Sequence, residues 1–148
     1  MKVYLGADHA GFKLKEKIKK ELGKSNIDFE DLGVEREKKV DYPKYAFAVG
    51  KRVVSDKDSK GILICGTGTG MCIAANKVKG VRAVFAYDAY SAVMSREHND
   101  ANVLCLRGRK FSQNTALKIV KLWLGEKFSG LSQHKRRIDE IAKYEKRG

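Results

Sequence analysis

The stretch GILICGTGTGMCIAANK, residues 61–77, decides the fold. Its first five residues form a continuous apolar run, which is typical of a β-strand that is covered on both faces. Three glycines, at positions 66, 68 and 70, then alternate with threonines before a helical pattern begins at Met71. A buried strand, a glycine-rich turn and a helix predict one unit of a parallel sheet with helices packed on it.

Strand and helix patterns alternate on both sides of this unit. The predicted strands are residues 2–7, 27–32, 61–65, 81–86 and 103–106. The predicted helices are residues 12–22, 43–54, 71–77, 89–97, 115–124 and 138–146, the last within a C-terminal helical segment of about 134–147. Because crossovers between parallel strands are right-handed, such units form three layers. We therefore predict an α/β fold, a three-layer Rossmann-like sandwich with a five-stranded parallel sheet, as one domain over residues 1–148.

The charge of the chain restricts its partners. Lys and Arg number 31 against 18 Asp and Glu, a net charge of +13. A nucleic-acid-binding module is one explanation, and it predicts steeply salt-dependent binding. No nucleic-acid motif accompanies the charge, however, and many basic residues alternate with acidic ones at helical spacing, as on a solvated face. No apolar run approaches the roughly 20 residues of a membrane span. We expect a soluble, cytoplasmic protein that binds neither nucleic acid nor membrane.

The cysteines point to a reactive thiol. Cys65, Cys72 and Cys105 are odd in number and form no CxxC pair, which argues against disulfides and against a zinc site. Cys65 ends the buried strand, where the glycine-rich turn can expose backbone N–H groups to an anion. The start of the following helix would favour the thiolate. The alternative is a buried cysteine before a sharp turn.

Familiar phosphate and cysteine motifs do not fit this turn. GTGTGM departs from the dinucleotide pattern GxGxxG, and no Gly-Lys-Ser or Gly-Lys-Thr completes a P-loop. A cysteine phosphatase would carry arginine at position 71, where this chain has Met71.

Two other polar segments lie at the ends of predicted elements. His98 can move protons near neutral pH, or it can be a helix-terminal histidine favoured by the helix dipole, with Asn99 as a cap. Asp8 can hold sugar hydroxyls beside His9, or it can cap the helix that follows. The residues alone favour the structural explanation for His98 and leave the two explanations for Asp8 open.

Four segments taken together closely resemble the ribose-5-phosphate isomerase B family, which also contains the galactose-6-phosphate isomerase subunits. They are ADHAGF (7–12), VDYPKYA (40–46), GILICGTGTGMCIAANKVKGVRA (61–83) and SREHNDANVLCLRGR (95–109). The likeness covers nearly the whole chain, in order. It implies an isomerase of the pentose phosphate pathway that interconverts D-ribose 5-phosphate and D-ribulose 5-phosphate through an enediolate, with no cofactor and no metal.

The resemblance also implies roles for individual residues. Cys65 corresponds to the base that moves a proton between C1 and C2, Thr67 to the hydroxyl that assists, and His98 to the residue that opens the furanose ring. The substrate-binding positions that it implies are Asp8, His9, Gly66, Gly68, Thr69, Gly70, Asn99, Arg109, His134 and Arg137. It further implies a homodimer, or a tetramer, in which two subunits share each active site, and a C-terminal helix that packs on the partner.

Two departures from the family pattern bear on these expectations. Members without the cysteine use an acid where this chain has Met71, so the thiol version applies here. The family usually reads Gly-Gly-Arg-His near the C-terminus, whereas this chain has Gln133 before His134 in a segment one residue longer. Either Arg136 or Arg137 then corresponds to the second family arginine. Substrates with six carbons, such as allose or galactose 6-phosphate, therefore stay open as alternatives.

Overall fold

The computed structural model describes residues 1–148 and contains every element that the sequence predicts. The strands are β1 (Lys2–Ala7), β2 (Asp28–Asp31), β3 (Lys60–Cys65), β4 (Ala83–Phe85) and β5 (Val103–Arg107). The helices are α1 (Phe12–Lys24), α2 (Pro43–Ser55), α3 (Thr69–Ala75), α4 (Ala89–Asn99), α5 (Gln113–Gly125) and α6 (Ser132–Glu145). None of these helices has both the length and the apolar character that a membrane span requires.

The five strands form one parallel sheet in the order β2-β1-β3-β5-β4. Helices α1, α4 and α5 cover one face of this sheet, and α2 and α3 cover the other. The predicted α/β three-layer sandwich is confirmed. The strand order reverses between β1 and β3, and loops at the carboxyl ends of strands on either side of such a point are where ligands bind in this class of fold.

Strand β3 shows why the central strand reads as a continuous apolar run. Its side chains alternate between the two faces of the sheet. Ile62 and Ile64 pack into the core beneath α1, α4 and α5, around the fully buried Trp123. Leu63 and Cys65 pack into the second core, beneath α2 and α3. Both cores exclude water, so a polar position on either face would be costly.

The clearest difference from the predicted boundaries lies at the C-terminus. Helix α6 begins at Ser132, six residues before the predicted apolar pattern at position 138. Leu131 precedes the helix and provides no side-chain cap, so no start signal marks this point in the sequence. His134 and Arg137 therefore lie on the first turns of this helix.

A buried lysine anchors the segment that leads from β2 toward the site. The Lys15 side chain is 1% exposed, and its Nζ donates to Asp31 Oδ2 at 2.6 Å and to the Val34 carbonyl at 2.7 Å. Burial tends to raise the pKa of Asp31, but hydrogen bonds from Lys15 and Lys19 outweigh it and hold that pKa below its usual value. The segment beginning at Val34 runs on to Tyr42, which reaches the glycine-rich turn.

Candidate active site

The loops after β1, β3 and β5 are joined backbone to backbone. The Gly108 N–H donates to the Cys65 carbonyl at 2.8 Å, and the Arg109 N–H donates to the Gly66 carbonyl at 3.1 Å. On the other side of β3, the Asp8 N–H donates to the Ile64 carbonyl at 3.3 Å. These bonds extend the sheet beyond the strand ends, so the three loops form one rigid floor.

The sulfur of Cys65 lies against this floor. Cys65 is 5% exposed, and its Sγ accepts a hydrogen bond from the Gly68 N–H at 3.2 Å. Gly68 has φ of 82°, and a Cβ at this position would lie 2.8 Å from the Phe85 ring. The turn that brings the amide to the sulfur therefore requires glycine. Cys65 is a core residue, as expected of a buried cysteine before a sharp turn. Its sulfur is also bound by a loop amide.

The rest of the glycine-rich turn offers further donors. The N–H groups of Gly66 and Thr67 have no hydrogen-bond acceptor within the chain. Thr67 and Thr69 are both exposed, and the Thr69 N–H donates to Thr67 Oγ1 at 3.3 Å. The turn thus combines free amides with an exposed hydroxyl beside the Cys65 sulfur. Its helix, α3, is seven residues long and begins two residues earlier than predicted.

Tyr42 packs against the glycine-rich turn, and sequence reasoning did not select it. A Cβ added to Gly70 would lie 2.7 Å from the Tyr42 hydroxyl, so this ring packs directly on the turn. Tyr42 immediately precedes Pro43, which starts α2. An aromatic residue at the entrance to a helix near the strand ends is the signal that could have indicated it.

Asp8 closes the turn that precedes α1. It is 6% exposed, and its Oδ1 accepts from the N–H groups of Ala10 at 3.0 Å and Gly11 at 3.2 Å. Its Oδ2 makes no hydrogen bond within the chain. One oxygen therefore serves the turn, as the structural alternative expects, and the other is free to accept from a ligand.

His9 and Arg109 lie on the loops that follow β1 and β5. His9 Nδ1 accepts from the Val40 N–H at 3.2 Å, so the neutral ring carries its hydrogen on Nε2. The exposed Arg109 side chain lies along Gly66, with Nη1 3.4 Å from the position of a Cβ there. The candidate residues on the three loops form a first group, which includes a donor imidazole and a guanidinium.

A second group of candidate residues forms where α4 meets α6. The rings of His98 and His134 lie 4.3 Å apart, and Ser129 Oγ is 2.7 Å from His134 Nδ1. Desolvation lowers the pKa of His134, and the charges of His98 and Arg137 lower it further. Arg137 follows His134 by one helical turn, so it is the arginine on the same face of α6. Ser129 was not predicted as a site residue.

The two groups lie at opposite ends of the strands, one at the carboxyl ends and the other near the amino ends. Cys65 ends β3, whereas His98 is in the last turn of α4, which leads back to the start of β5. The Asn102 carbonyl that follows this turn accepts from the Gly61 N–H, four residues before Cys65. Four residues of strand span about 13 Å. The strand start that follows α4 and the Cys65 end of β3 thus lie about 13 Å apart along the sheet, which places the two groups at different levels of one chain.

The other two cysteines interact with each other, and their sulfurs make no hydrogen bond to the glycine-rich turn. Cys72 Sγ donates to the Ala83 carbonyl at 3.5 Å and accepts from Asn76 Nδ2 at 3.7 Å. A hydrogen bond with Cys105 lowers the pKa of Cys72 to about 7, against the effect of burial and with help from Asn76. The same hydrogen bond raises the pKa of Cys105. No three His, Cys, Asp or Glu side chains are grouped as a metal site would require.

The sequence and the fold of this chain both match known sugar-phosphate isomerases. The model of the Ribose/Galactose Isomerase family matches residues 3–141. The ribose-5-phosphate isomerase B of Escherichia coli is 42% identical over 146 residues, which are 99% of this chain and 97% of that protein. The ribose-5-phosphate isomerase B structure from Clostridium thermocellum has a TM-score of 0.95 and 44% identity, with 99% of both chains covered. That from Mycoplasma genitalium, with bound ribulose-5-phosphate, has a TM-score of 0.94 and 42% identity, covering 99% of this chain and 97% of that one.

Proposed function

The chain belongs to the ribose/galactose isomerase family, and we propose that it interconverts D-ribose 5-phosphate and D-ribulose 5-phosphate, a step of the pentose phosphate pathway. One observation carries the mechanism: the Cys65 sulfur is bound by the Gly68 amide in a turn where the Gly66 and Thr67 amides are free. A base and donors for an oxyanion are the two elements that removal of a proton beside a carbonyl requires.

The proton transfer uses the first group of residues. With open-chain ribose 5-phosphate bound, the Cys65 thiolate takes the C2 proton, and the electrons of the C–H bond form the enediolate. The N–H groups of Gly66 and Thr67 stabilise its oxygen, and each such donor is worth about 3–4 kcal/mol. The Thr67 hydroxyl passes a proton between O2 and O1, and the Cys65 thiol returns its proton to C1. The product is ribulose 5-phosphate, and the thiolate is restored.

The second group prepares the sugar for this step. Ribose 5-phosphate is mostly a furanose ring, which must open before C2 becomes acidic. His98 moves the proton that opens the ring, and Asn99 contacts the hydroxyls beside it. His134 and Arg137 bind the phosphate, together with Arg109 from the first group.

The separation of the two groups supports a site shared between two subunits. The proposed homodimer places the Cys65 loop of one chain against the His98 group of the partner, since about 13 Å separates their levels in one chain. Asp8 and His9 then hold the sugar between them. Helix α6 has exposed Ile141 and Tyr144, at 58% and 75%, and we propose that it packs on the partner subunit. A single domain over residues 1–148 and a cytoplasmic location are part of the same proposal.

The C-terminal segment leaves six-carbon sugar phosphates as alternative substrates. Gln133 stands where the family usually has arginine, beside the proposed phosphate contacts, and the segment is one residue longer. A bidentate arginine is the preferred partner of a phosphate. Because this chain lacks arginine at position 133, longer sugars such as allose and galactose 6-phosphate should be tested as substrates.

Turnover on the three sugar phosphates, measured side by side, tests this proposal. We expect the highest kcat/KM on ribose 5-phosphate. Cys65→Ala should lose on the order of 10²–10⁴-fold in kcat, the usual worth of a proton-transfer group, with an unchanged circular dichroism spectrum. Near-normal turnover in Cys65→Ala would overturn the mechanism, and a preference for a six-carbon sugar would overturn the substrate.

A further inference from the structure

The end of α4 presents His98 and Asn99 on a turn with an unusual backbone. Asp100 caps the helix in the left-handed conformation, with φ of 45° and ψ of 46°. Non-glycine residues adopt this conformation at a cost, and the last carbonyls of a helix have no partner within it. Two backbone hydrogen bonds close this turn, from the Asp100 N–H to the Arg96 carbonyl at 3.1 Å and from the Ala101 N–H to the Ser95 carbonyl at 3.0 Å, and the carbonyls of residues 99–101 are left for side-chain donors.

Two arginines supply the missing donors. Arg96, within the helix, donates from Nη1 to Asp100 Oδ1 at 2.8 Å and to the Ala101 carbonyl at 2.7 Å. Arg82, from the segment before β4, donates from Nε to the Asn99 carbonyl at 3.0 Å and to the Asp100 carbonyl at 3.1 Å. Its Nη2 reaches the Asp100 carbonyl at 2.8 Å and Asp100 Oδ2 at 3.2 Å. Only Arg82 binds the backbone of Asn99.

We infer that Arg82 is a positioning residue for the isomerase reaction. Its guanidinium holds the Asn99 and Asp100 carbonyls, and so sets where the side chains of His98 and Asn99 point. The inference rests on the proposed roles of these two side chains. A misplacement of about 1 Å is enough to cost on the order of 100-fold in rate.

The two arginines differ in what else they support. The Arg96 side chain is 8% exposed, lies 5.8 Å from the Trp123 ring and also donates to the Glu126 carbonyl. Its loss would disturb the packing of α5. The Arg82 side chain is 28% exposed, and its hydrogen bonds all go to the α4 turn. Removal of Arg82 should therefore loosen the turn more than the core.

The same turn is linked to the proposed phosphate contacts. The Ser129 N–H donates to the Glu97 carbonyl at 3.1 Å, and Ser129 Oγ contacts His134. A shift of the α4 end would thus also change the 4.3 Å spacing of the His98 and His134 rings.

Two assays separate positioning from a general loss of structure. Conversion of ribose 5-phosphate begins from the ring and needs His98. Exchange of a C1 hydrogen of ribulose 5-phosphate with solvent deuterium begins from an open chain and, at saturating substrate, needs only the Cys65 transfer. We compare Arg82→Met and Arg82→Lys with His98→Ala, and use Arg52→Met as the control. Arg52 is also a partly exposed arginine with one carboxylate partner, Glu30.

We expect Arg82→Met to lower conversion on the order of 10- to 100-fold while exchange falls much less, as in His98→Ala. Arg82→Lys, which keeps the charge but not the fork of donors, should lie between Arg82→Met and the wild type. Arg52→Met should change neither rate. Equal losses in both assays, or no loss, in either Arg82 variant that folds would overturn the inference while leaving the proposed function intact. If His98→Ala itself fails to separate the two rates, the proposed role of His98 falls, and the inference with it.

Discussion

The Gly68 N–H points at the Cys65 sulfur across 3.2 Å, within the turn that follows the central strand. This contact exists because Gly68 takes up φ of 82°, where the ring of Phe85 leaves no room for a side chain. The backbone amide therefore stabilises negative charge on the sulfur at the point where the proposed reaction needs a base. The same hydrogen bond thus depends on the turn geometry and bears on the proposed reaction.

Gly68→Ala should damage both stability and catalysis. A non-glycine residue at positive φ costs roughly 1–2 kcal/mol, and the added Cβ would also press on the Phe85 ring at 2.8 Å. A shift of the turn would also displace the neighbouring Gly66 and Thr67 amides, and loss of one oxyanion donor typically lowers kcat about 10²–10³-fold. Urea unfolding and kcat on ribose 5-phosphate measure the two effects. Gly125→Ala is the matched control, because nothing lies within 4 Å of a Cβ there, and a loss of activity as large in that variant would contradict the explanation.

Arg137 and Arg136 form a natural pair for testing the phosphate contact. Arg137 lies one turn from His134 and influences its pKa, whereas Arg136 points to another face of α6. Arg137→Met should raise KM for ribose 5-phosphate about 10- to 150-fold, the equivalent of the 1.5–3 kcal/mol that a hydrogen bond to a charged group contributes. Arg136→Met should leave KM close to the wild-type value. The reverse order in the steady-state measurements would show that the other arginine binds the phosphate.

The pKa of Cys72 gives a pH-dependent prediction. Because hydrogen bonding with Cys105 lowers the pKa of Cys72 to about 7, its thiolate should form as the pH rises through 7. Site-resolved alkylation with iodoacetamide should show a rate for Cys72 that rises with a midpoint near that pH. Cys105→Ala removes the first cause of the shift and should move the midpoint upward. A wild-type midpoint near 9.0 would contradict the Cys72–Cys105 contact.

Activity of a Cys72→Ala variant separates Cys72 from the proposed catalytic thiol. Cys72 Sγ is directed to the Ala83 carbonyl and not to the glycine-rich turn, so Cys72→Ala should isomerise ribose 5-phosphate at close to the wild-type rate. A loss as large as that of Cys65→Ala would mean that the base has been assigned to the wrong cysteine.

Much of the fold follows from local pattern. The apolar run that ends at Cys65 and the glycines after it predict a covered strand and a tight turn, because few other structures suit such residues. The start of α6 does not follow, since no capping residue marks Ser132. Boundaries set by tertiary packing carry no local signal of this kind.

The site is predictable only in part for a similar reason. Asp8, Cys65 and Arg109 each lie at or just after the carboxyl end of a strand. In a parallel sheet these ends lie on one side, so the proximity of the three residues follows from the fold class. The contact of Tyr42 with Gly70 depends on how α2 packs, and that of Ser129 with His134 depends on how α6 folds back on α4. Such contacts join segments distant in sequence, and residue pattern alone does not indicate them.

Subunit complementation tests the shared site most directly. Cys65→Ala and His98→Ala chains, each expected to be strongly impaired on ribose 5-phosphate by itself, are coexpressed with different tags and assayed as a mixture. In each mixed dimer, one of the two sites would combine an intact Cys65 with an intact His98 from the partner. The account predicts recovery of about a quarter of the wild-type activity after random pairing in a twofold-symmetric dimer. No recovery in a preparation shown to contain mixed dimers would contradict it.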